Sequence, residues 1–138
     1  MQKYNFNKTR VCVEITEDAI EKNTKNALTN IAECKKPGFR VALDDLGSGY
    51  TALANICDYP IDAIKIDRDI LLKAGNDKGK SLFERIVELS HKLNLKVICE
   101  GVGIKEQNSF VTTSNCDYIQ GFYYYKPLPK ENAERIIK

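Results

Sequence analysis

Several residue types and patterns are scarce in this chain of 138 residues. It has no Trp, one His and one Met, and 21 Lys+Arg stand against 19 Asp+Glu, a formal net charge of +2. A charge this balanced excludes a basic nucleic-acid arm or membrane-surface helix, because both concentrate basic residues. No apolar run approaches the ~18 residues that span a bilayer, and the first residues lack the apolar stretch of a secretion signal. We therefore expect a cytoplasmic protein with no membrane segment and no DNA partner.

The five cysteines are also isolated from one another. Their number is odd, and no two have the C-x-x-C spacing of a zinc site or a redox pair. Cys12 and Cys99 lie in short apolar runs, where a reduced cysteine behaves as a small hydrophobic residue. Reduced thiols are what a cytosolic protein contains, so we predict no disulfide and no cysteine-bound metal.

Short apolar runs alternate with longer amphipathic stretches five times along the chain. The predicted strands are 11–13, 39–43, 63–67, 97–99 and 118–119. The predicted helices are 18–34, 50–57, 81–93, 105–113 and 130–138. This alternation predicts an α/β fold with a parallel sheet, and the continuous apolarity of the strands indicates that both faces of the sheet are covered.

Polar side chains stand where the predicted strands end. They are Glu14, Asp44, Asp45, Lys65, Asp67, Glu100 and Gln120. We expect them to converge, because the carboxyl ends of parallel strands meet at one edge, where ligands bind. Several carboxylates in one place repel each other unless a cation lies among them, and oxygen donors suit Mg²⁺ or Mn²⁺. Since paired metals about 3.5–4 Å apart cleave phosphodiesters, the residue types point to metal-assisted phosphate chemistry.

Other roles stay open for the same residues. Glu14, Asp44 or Asp45 can cap the helix that follows each strand. Lys65 is compatible with a Schiff-base lysine, as in barrel aldolases, although neighbouring carboxylates would raise its pKa rather than lower it.

Three further features have two interpretations each. Residues 47–49 are a G-x-G fragment, which forms either a turn or a phosphate cradle. The tyrosines at 123–125 either stack on a guanine base or pack at the strand end. The single histidine, His91, is expected to face solvent from the helix 81–93.

Six short motifs resemble one known family. They are E-I-T-E (14–17), D-D-L-G-S-G-Y (44–50), I-K-I-D-R (64–68), E-G-V (100–102), C-D-Y-I-Q-G-F (116–122) and K-P-L-P (126–129). Together they resemble the later motifs of the EAL domain family, bacterial cyclic-di-GMP phosphodiesterases with a TIM-like barrel. The resemblance implies that residues 1–138 are the carboxyl-terminal part of one such domain, a partial barrel of about five strands without the first three.

The resemblance also implies a role for each matching residue. The implied metal ligands are Glu14, Asp44 and Asp45, and the implied catalytic residues are Lys65, Glu100 and Gln120. Glu17 would anchor the loop that contains Gly47 and Gly49, and Asp67 would lie beside the lysine, against the substrate or the catalytic residues. The implied cofactors are two Mg²⁺ or Mn²⁺ ions.

The sequence departs from the family pattern in ways that leave the two-metal site incomplete. It has no E-A-L tripeptide and no counterpart of the family's metal-binding asparagine, and Gly103 stands where a second glutamate is usual. Five strands cannot close the barrel, so we expect unpaired edges at 11–14 and 118–120 and an exposed apolar inner layer. A homodimer or a second chain would cover this open wall.

Two functions follow as expectations. In the first, a longer parent protein, with regulatory domains upstream, hydrolyses cyclic-di-GMP to linear pGpG, and the isolated chain is inactive. In the second, a degenerate domain binds cyclic-di-GMP or a partner protein without cleavage.

Overall fold

The computed structural model describes residues 7–46 and 56–136. The strands are β1 (Cys12–Thr16), β2 (Arg40–Leu46), β3 (Ala63–Ile66), β4 (Lys96–Cys99) and β5 (Tyr118–Ile119). The helices are α1 (Glu17–Lys22), α2 (Thr24–Lys35), α3 (Arg68–Lys73), α4 (Asp77–Lys92), α5 (Lys105–Thr113) and α6 (Lys130–Ile136), with 3-10 turns at Lys8–Arg10 and Ile56–Asp58. Five strands alternating with helices confirm the predicted α/β fold.

The strands form one parallel sheet in the order β1-β2-β3-β4-β5. Glu14 of β1 is in register with Ala42 of β2, and Lys65 of β3 is in register with Ile98 of β4. Within residues 7–46 and 56–136 the sheet is not closed, because β1 pairs only with β2 and β5 only with β4. The two predicted unpaired edges are therefore present.

One face of the sheet is buried under the helices and forms the core. Its strand side chains are each at most 1% exposed: Val41, Leu43, Ile64, Ile66, Val97 and Cys99. The helices contribute Ile20, Ile31, Phe83 and Val111 to the same cluster. Because side chains alternate between faces along a strand, the residues between these core positions point to the opposite face.

The opposite face is only partly apolar. Ala42 and Ala63 are buried there, but Arg40, Lys96 and Tyr118 are exposed near the amino ends of their strands. The expectation of an exposed apolar layer is therefore wrong at the amino ends of the strands, where charged and aromatic side chains are exposed instead.

Two helical segments differ from their predicted bounds. The predicted helix 18–34 is broken at Asn23, where φ is −158° and ψ is 74° and the side chain accepts a hydrogen bond from the backbone N–H of Asn26. An asparagine side chain competes with the backbone for hydrogen bonds, so it ends α1 and starts α2. The fourth helix begins earlier than expected, with Asn76 accepting from the N–H of Gly79. Most of the predicted helix 50–57 lies outside the described residues.

An aspartate clamps the amino end of β5 to the rest of the sheet. Asp117 accepts hydrogen bonds from the Val97 backbone N–H at 2.9 Å and from Lys96 Nζ at 2.6 Å. Its carboxylate also lies 2.9 Å from His91 Nε2. The expectation that His91 simply faces solvent is therefore wrong: its ring is half-buried against this carboxylate.

A second aspartate repeats this arrangement before β3. Asp62 accepts from the Val41 backbone N–H at 2.8 Å and from Lys35 Nζ at 2.6 Å. In both cases an aspartate that directly precedes one strand binds the backbone of the neighbouring strand and a lysine. We call Asp62 and Asp117 the two strand clamps.

No helix in the described part of the chain has the length and apolarity that a membrane span requires.

Candidate active site

Lys65 stands at the centre of the candidate site, at the carboxyl edge of the sheet. Its Nζ lies 2.8 Å from Glu14 Oε2, 3.0 Å from Asp44 Oδ1 and 2.7 Å from Glu100 Oε1. The lysine side chain is 4% exposed, whereas the three carboxylates are 47%, 19% and 21% exposed. Glu14 lies within β1, Asp44 lies within β2 and Glu100 directly follows β4, so the register of the sheet creates this cluster.

The cluster keeps Lys65 positively charged. Burial on its own would lower the pKa of Lys65, but its hydrogen bonds to Glu100, Glu14 and Asp44 outweigh burial and raise the pKa above its ordinary value. A Schiff-base lysine needs the opposite shift, because the neutral amine is the nucleophile. The electrostatics of the cluster therefore disfavour the aldolase interpretation.

A bulge at the end of β2 separates the two adjacent aspartates. Leu43 pairs with Ile64 and Leu46 with Ile66, so β2 has one residue more than β3 between these pairs. The bulge places Asp45 at φ 58°, a left-handed conformation that aspartate tolerates better than most residues. Asp44 faces Lys65, while Asp45 is exposed. Desolvation, followed by the charge of Asp44, raises the pKa of Asp45.

The other predicted site residues each directly follow a strand: Glu17 follows β1, Asp67 follows β3 and Gln120 follows β5. Asp67 caps α3 by accepting from the Asp69 backbone N–H at 2.7 Å. Gln120 is exposed, and its backbone joins β5 to Cys99 and Val102. Glu17 is 2% exposed at the start of α1. The loop that it is predicted to anchor, with Gly47 and Gly49, lies outside the described residues.

A cavity of about 550 Å³ opens beside Glu100. Its lining includes Arg68, Glu100, Gln120, Phe122, Tyr125 and Lys126. Lys126 Nζ lies 5.7 Å from the centre of the Phe122 ring. Two cations and two exposed aromatic rings beside a carboxylate cluster suit a ligand that carries both phosphate groups and aromatic bases.

The three tyrosines at 123–125 have different surroundings. Tyr125 lines the cavity, where its ring is available to a base. Tyr124 donates a hydrogen bond to Asn108 Oδ1 at 2.7 Å, and its ring packs edge-on against Tyr123. Tyr123 and Tyr124 therefore pack against each other and, through Asn108, against α5, while both remain exposed.

Two glycines let the backbone pass closely beside the cavity. Gly101 has φ +70°, and a Cβ there would lie 2.5 Å from Arg68 Cγ. At Gly121 a Cβ would lie 2.1 Å from the Val102 carbonyl oxygen. Prediction from residue chemistry missed both, although each glycine directly follows a predicted site residue.

The three carboxylates of the cluster are the donor type that Mg²⁺ and Mn²⁺ prefer. As arranged, their oxygens point to the Lys65 ammonium. Among residues 7–46 and 56–136, no group of three Asp, Glu, His or Cys side chains is placed to hold a metal ion. The donor chemistry thus fits a divalent metal, while the ligand set within the described residues is incomplete.

Sequence comparisons place the chain among known signalling proteins. A model of the EAL domain family matches residues 1–127. PdeR of Escherichia coli K12, a cyclic di-GMP phosphodiesterase by name, is 36% identical over 139 residues, covering 100% of this chain and 21% of PdeR. NbdA of Pseudomonas aeruginosa, also named a cyclic di-GMP phosphodiesterase, is 30% identical over 91% of this chain and 16% of NbdA. The chain therefore spans only about a fifth of PdeR and about a sixth of NbdA.

Structural comparisons agree with this result. The PaMucR phosphodiesterase in complex with c-di-GMP has a TM-score of 0.82 and 29% identity, covering 91% of this chain and 51% of that chain. The EAL enzyme Bd1971, in its cAMP- and cyclic-di-GMP-bound form, has a TM-score of 0.86 and 26% identity, covering 95% of this chain and 35% of that chain.

Proposed function

Because the chain belongs to the EAL domain family, we propose that it supplies the acidic centre for hydrolysis of cyclic-di-GMP in a protein whose further strands complete the barrel. Hydrolysis forms a P–O bond from water, breaks one P–O3′ bond of the ring and leaves a 3′-hydroxyl, so that linear pGpG is the product. The observation that carries this proposal is the Lys65 ammonium, buried among Glu14, Asp44 and Glu100 at the edge where ligands bind.

We assign the catalytic roles to residues in or beside this cluster. Lys65 would orient the attacking water or a phosphate oxygen through its N–H groups. Glu100 would accept the proton of the water, and the side-chain amide of Gln120 would donate to a phosphate oxygen. The exposed part of each carboxylate group is what allows a substrate to reach it.

The metal ligands are assigned to Glu14, Asp44 and Asp45, with further ligands from outside this chain. Mg²⁺ or Mn²⁺ bound there would act as a Lewis acid toward the water and the leaving oxygen. Glu17 would anchor the loop after Asp45. Asp67, which caps α3, would hold Arg68 at the mouth of the cavity.

The cavity beside Glu100 would take the nucleotide. Arg68 and Lys126 would pair with phosphate oxygens, and Phe122 and Tyr125 would stack on a guanine base.

Turnover tests this assignment in a longer protein that contains this chain, with pGpG measured by chromatography. Asp44→Asn and Lys65→Ala should each lower the rate by at least about 100-fold, because each removes a charged group at the reacting phosphate. Lys36→Ala, which removes an exposed ion pair with Glu33 at the end of α2, is the matched control and should leave the rate within about threefold. Unchanged turnover in both site variants would reject the assignment. For the 138-residue chain alone we expect no hydrolysis.

A second candidate function is binding of cyclic-di-GMP without cleavage. Gly103 favours it, because it lies at the edge of the cavity and provides no carboxylate. Calorimetric titration with cyclic-di-GMP, in chelator and in Mg²⁺, separates the two functions. Tight binding without any pGpG indicates a sensor, whereas product formation in Mg²⁺ indicates an enzyme.

Three further expectations stay predictions. They are a cytoplasmic location, regulatory domains upstream of this chain, and a second copy or another chain that covers the open edges of β1 and β5.

A further inference from the structure

The segment 122–127 runs along the cavity and begins with a single helical turn. The Gly121 carbonyl oxygen accepts hydrogen bonds from the backbone N–H groups of Tyr124 and Tyr125, at 3.1 and 3.3 Å. Residues three apart in such a turn lie on the same side, and Phe122 and Tyr125 both line the cavity. Tyr124, two residues after Phe122, lies on the opposite side of the turn.

That opposite side of the turn is attached to α5. The Tyr124 hydroxyl donates a hydrogen bond to Asn108 Oδ1 at 2.7 Å. The helix is itself fixed to the core, since the Phe110 ring centre lies 5.1 Å from the ring centre of the fully buried Phe83. Asn108 therefore gives the segment 122–127 a hydrogen-bond partner on an element that packs into the core.

This hydrogen bond bears on ligand binding because the segment supplies aromatic and cationic side chains to the cavity. A ligand that binds these side chains loses affinity to the extent that it must first order the segment. Tyr124 is 48% exposed, so we expect its bond to shift the equilibrium between ordered and disordered segment by about fivefold. The affinity for ligand falls in proportion to the fraction of the protein in which the segment is ordered.

We propose that Asn108 is a positioning residue for the nucleotide: through Tyr124 it orders residues 122–127 and so sets how tightly the cavity binds a guanine nucleotide. The inference rests on the proposed function for the identity of the ligand. Both residues act through Phe122 and Tyr125, which line the cavity, and not through a contact of their own with the nucleotide.

Calorimetric titration with cyclic-di-GMP in chelator, in a longer protein that contains this chain, measures the effect on binding without turnover. Tyr124→Phe removes the donor hydroxyl and keeps the ring, and Asn108→Ala removes the acceptor. Each should weaken binding about fivefold. The double variant should bind as each single variant does, because all three lack the same hydrogen bond.

Tyr123→Phe is the matched control. It removes a hydroxyl from the neighbouring ring of the same turn, which packs edge-on against Tyr124, and it should stay within about twofold of the unaltered protein. Unchanged affinity in Tyr124→Phe and Asn108→Ala would overturn the inference, and so would losses that add in the double variant or an equal loss in Tyr123→Phe.

Turnover separates this inference from the proposed hydrolysis. Tyr124→Phe should raise KM about fivefold and leave kcat within about twofold, because the hydroxyl acts on binding and not on the reacting phosphate. Weaker binding by the variants in a protein that forms no pGpG would support the inference and reject hydrolysis. Turnover that requires Lys65 but has the same KM in Tyr124→Phe would support hydrolysis and reject the inference. Absence of saturable cyclic-di-GMP binding by the unaltered protein would overturn both.

Amide hydrogen exchange of the 138-residue chain tests the ordering of the segment without a ligand. The Tyr125 N–H, which is bonded to Gly121, should exchange about fivefold faster in Tyr124→Phe. The Gln120 N–H, bonded to the Cys99 carbonyl oxygen at 2.8 Å within the sheet, should exchange at an unchanged rate. Equal exchange of the Tyr125 N–H in both chains would refute the role of the Tyr124 hydroxyl.

Discussion

Asp117→Asn should destabilise the chain by about 2 kcal/mol at neutral pH. Hydrogen bonds from Lys96, the Val97 backbone and His91 overcome the effect of desolvation and lower the pKa of Asp117 from 3.8 to about 2. Each pKa unit corresponds to about 1.4 kcal/mol of preference for the charged form in the folded state. The Asp117 side chain is 16% exposed, so solvent screening removes little of this energy. The amide of asparagine keeps the Val97 bond but loses both charge-assisted partners.

Urea unfolding at a series of pH values measures this contribution. Because the pKa of Asp117 is lower in the folded state, its stabilisation is complete above about pH 4 and is lost as the pH falls through about 2. The difference in free energy of unfolding between the unaltered chain and Asp117→Asn should therefore become smaller as the pH falls from about 4 to about 2. Asp18→Asn is the control, since its pair with Lys22 is largely exposed, and it should cost far less. The reasoning would be refuted if the two chains differed in free energy of unfolding at pH 2 as much as at pH 7, or did not differ at pH 7.

Three more substitutions test the fold and the site. Asp62→Asn, at the other strand clamp, should cost about 1 kcal/mol in urea unfolding, because it loses the Lys35 charge pair and keeps the backbone bond. Gly121→Ala should cost at least about 2 kcal/mol, since its Cβ would overlap the Val102 backbone, and a change below about 0.5 kcal/mol would contradict the close approach. Gly103→Glu should change stability by less than about 0.5 kcal/mol, because the nearest atom to a Cβ there is 3.8 Å away, and thermal unfolding checks this.

The strands were predictable because their apolar runs are short, continuous and followed by charged or polar residues. Each predicted strand overlaps an observed one, and Glu14 and Glu100 both contact Lys65 as expected, although β1 continues two residues beyond Glu14. The helices were less predictable, because their ends depend on single hydrogen bonds. The side chain of Asn23 breaks one predicted helix, and the cap by Asp67 starts α3, which no apolar periodicity indicates over six residues.

The candidate site was predictable as a set of residues but not as a set of contacts. Parallel order brings Asp44 to Lys65, yet the β2 bulge places Asp45 at φ 58° and leaves it exposed. A bulge depends on how the strand pairs with its partner, so the Asp44-Asp45 dipeptide alone does not predict it. His91 was misjudged for a similar reason, since its partner Asp117 lies 26 positions away and the two meet only in the folded sheet.

The two edges of the sheet depend on each other through strand register. At the amino edge, Asp62 and Asp117 each tie the residue before one strand to the backbone of its neighbour. At the carboxyl edge, Glu14, Asp44 and Glu100 reach Lys65 only if all four point to the same face. A slip of one residue would turn a strand's side chains to the other face and remove its carboxylate from the cluster. The strand clamps therefore support the chemistry of the opposite edge without touching it, by fixing which side chains face Lys65.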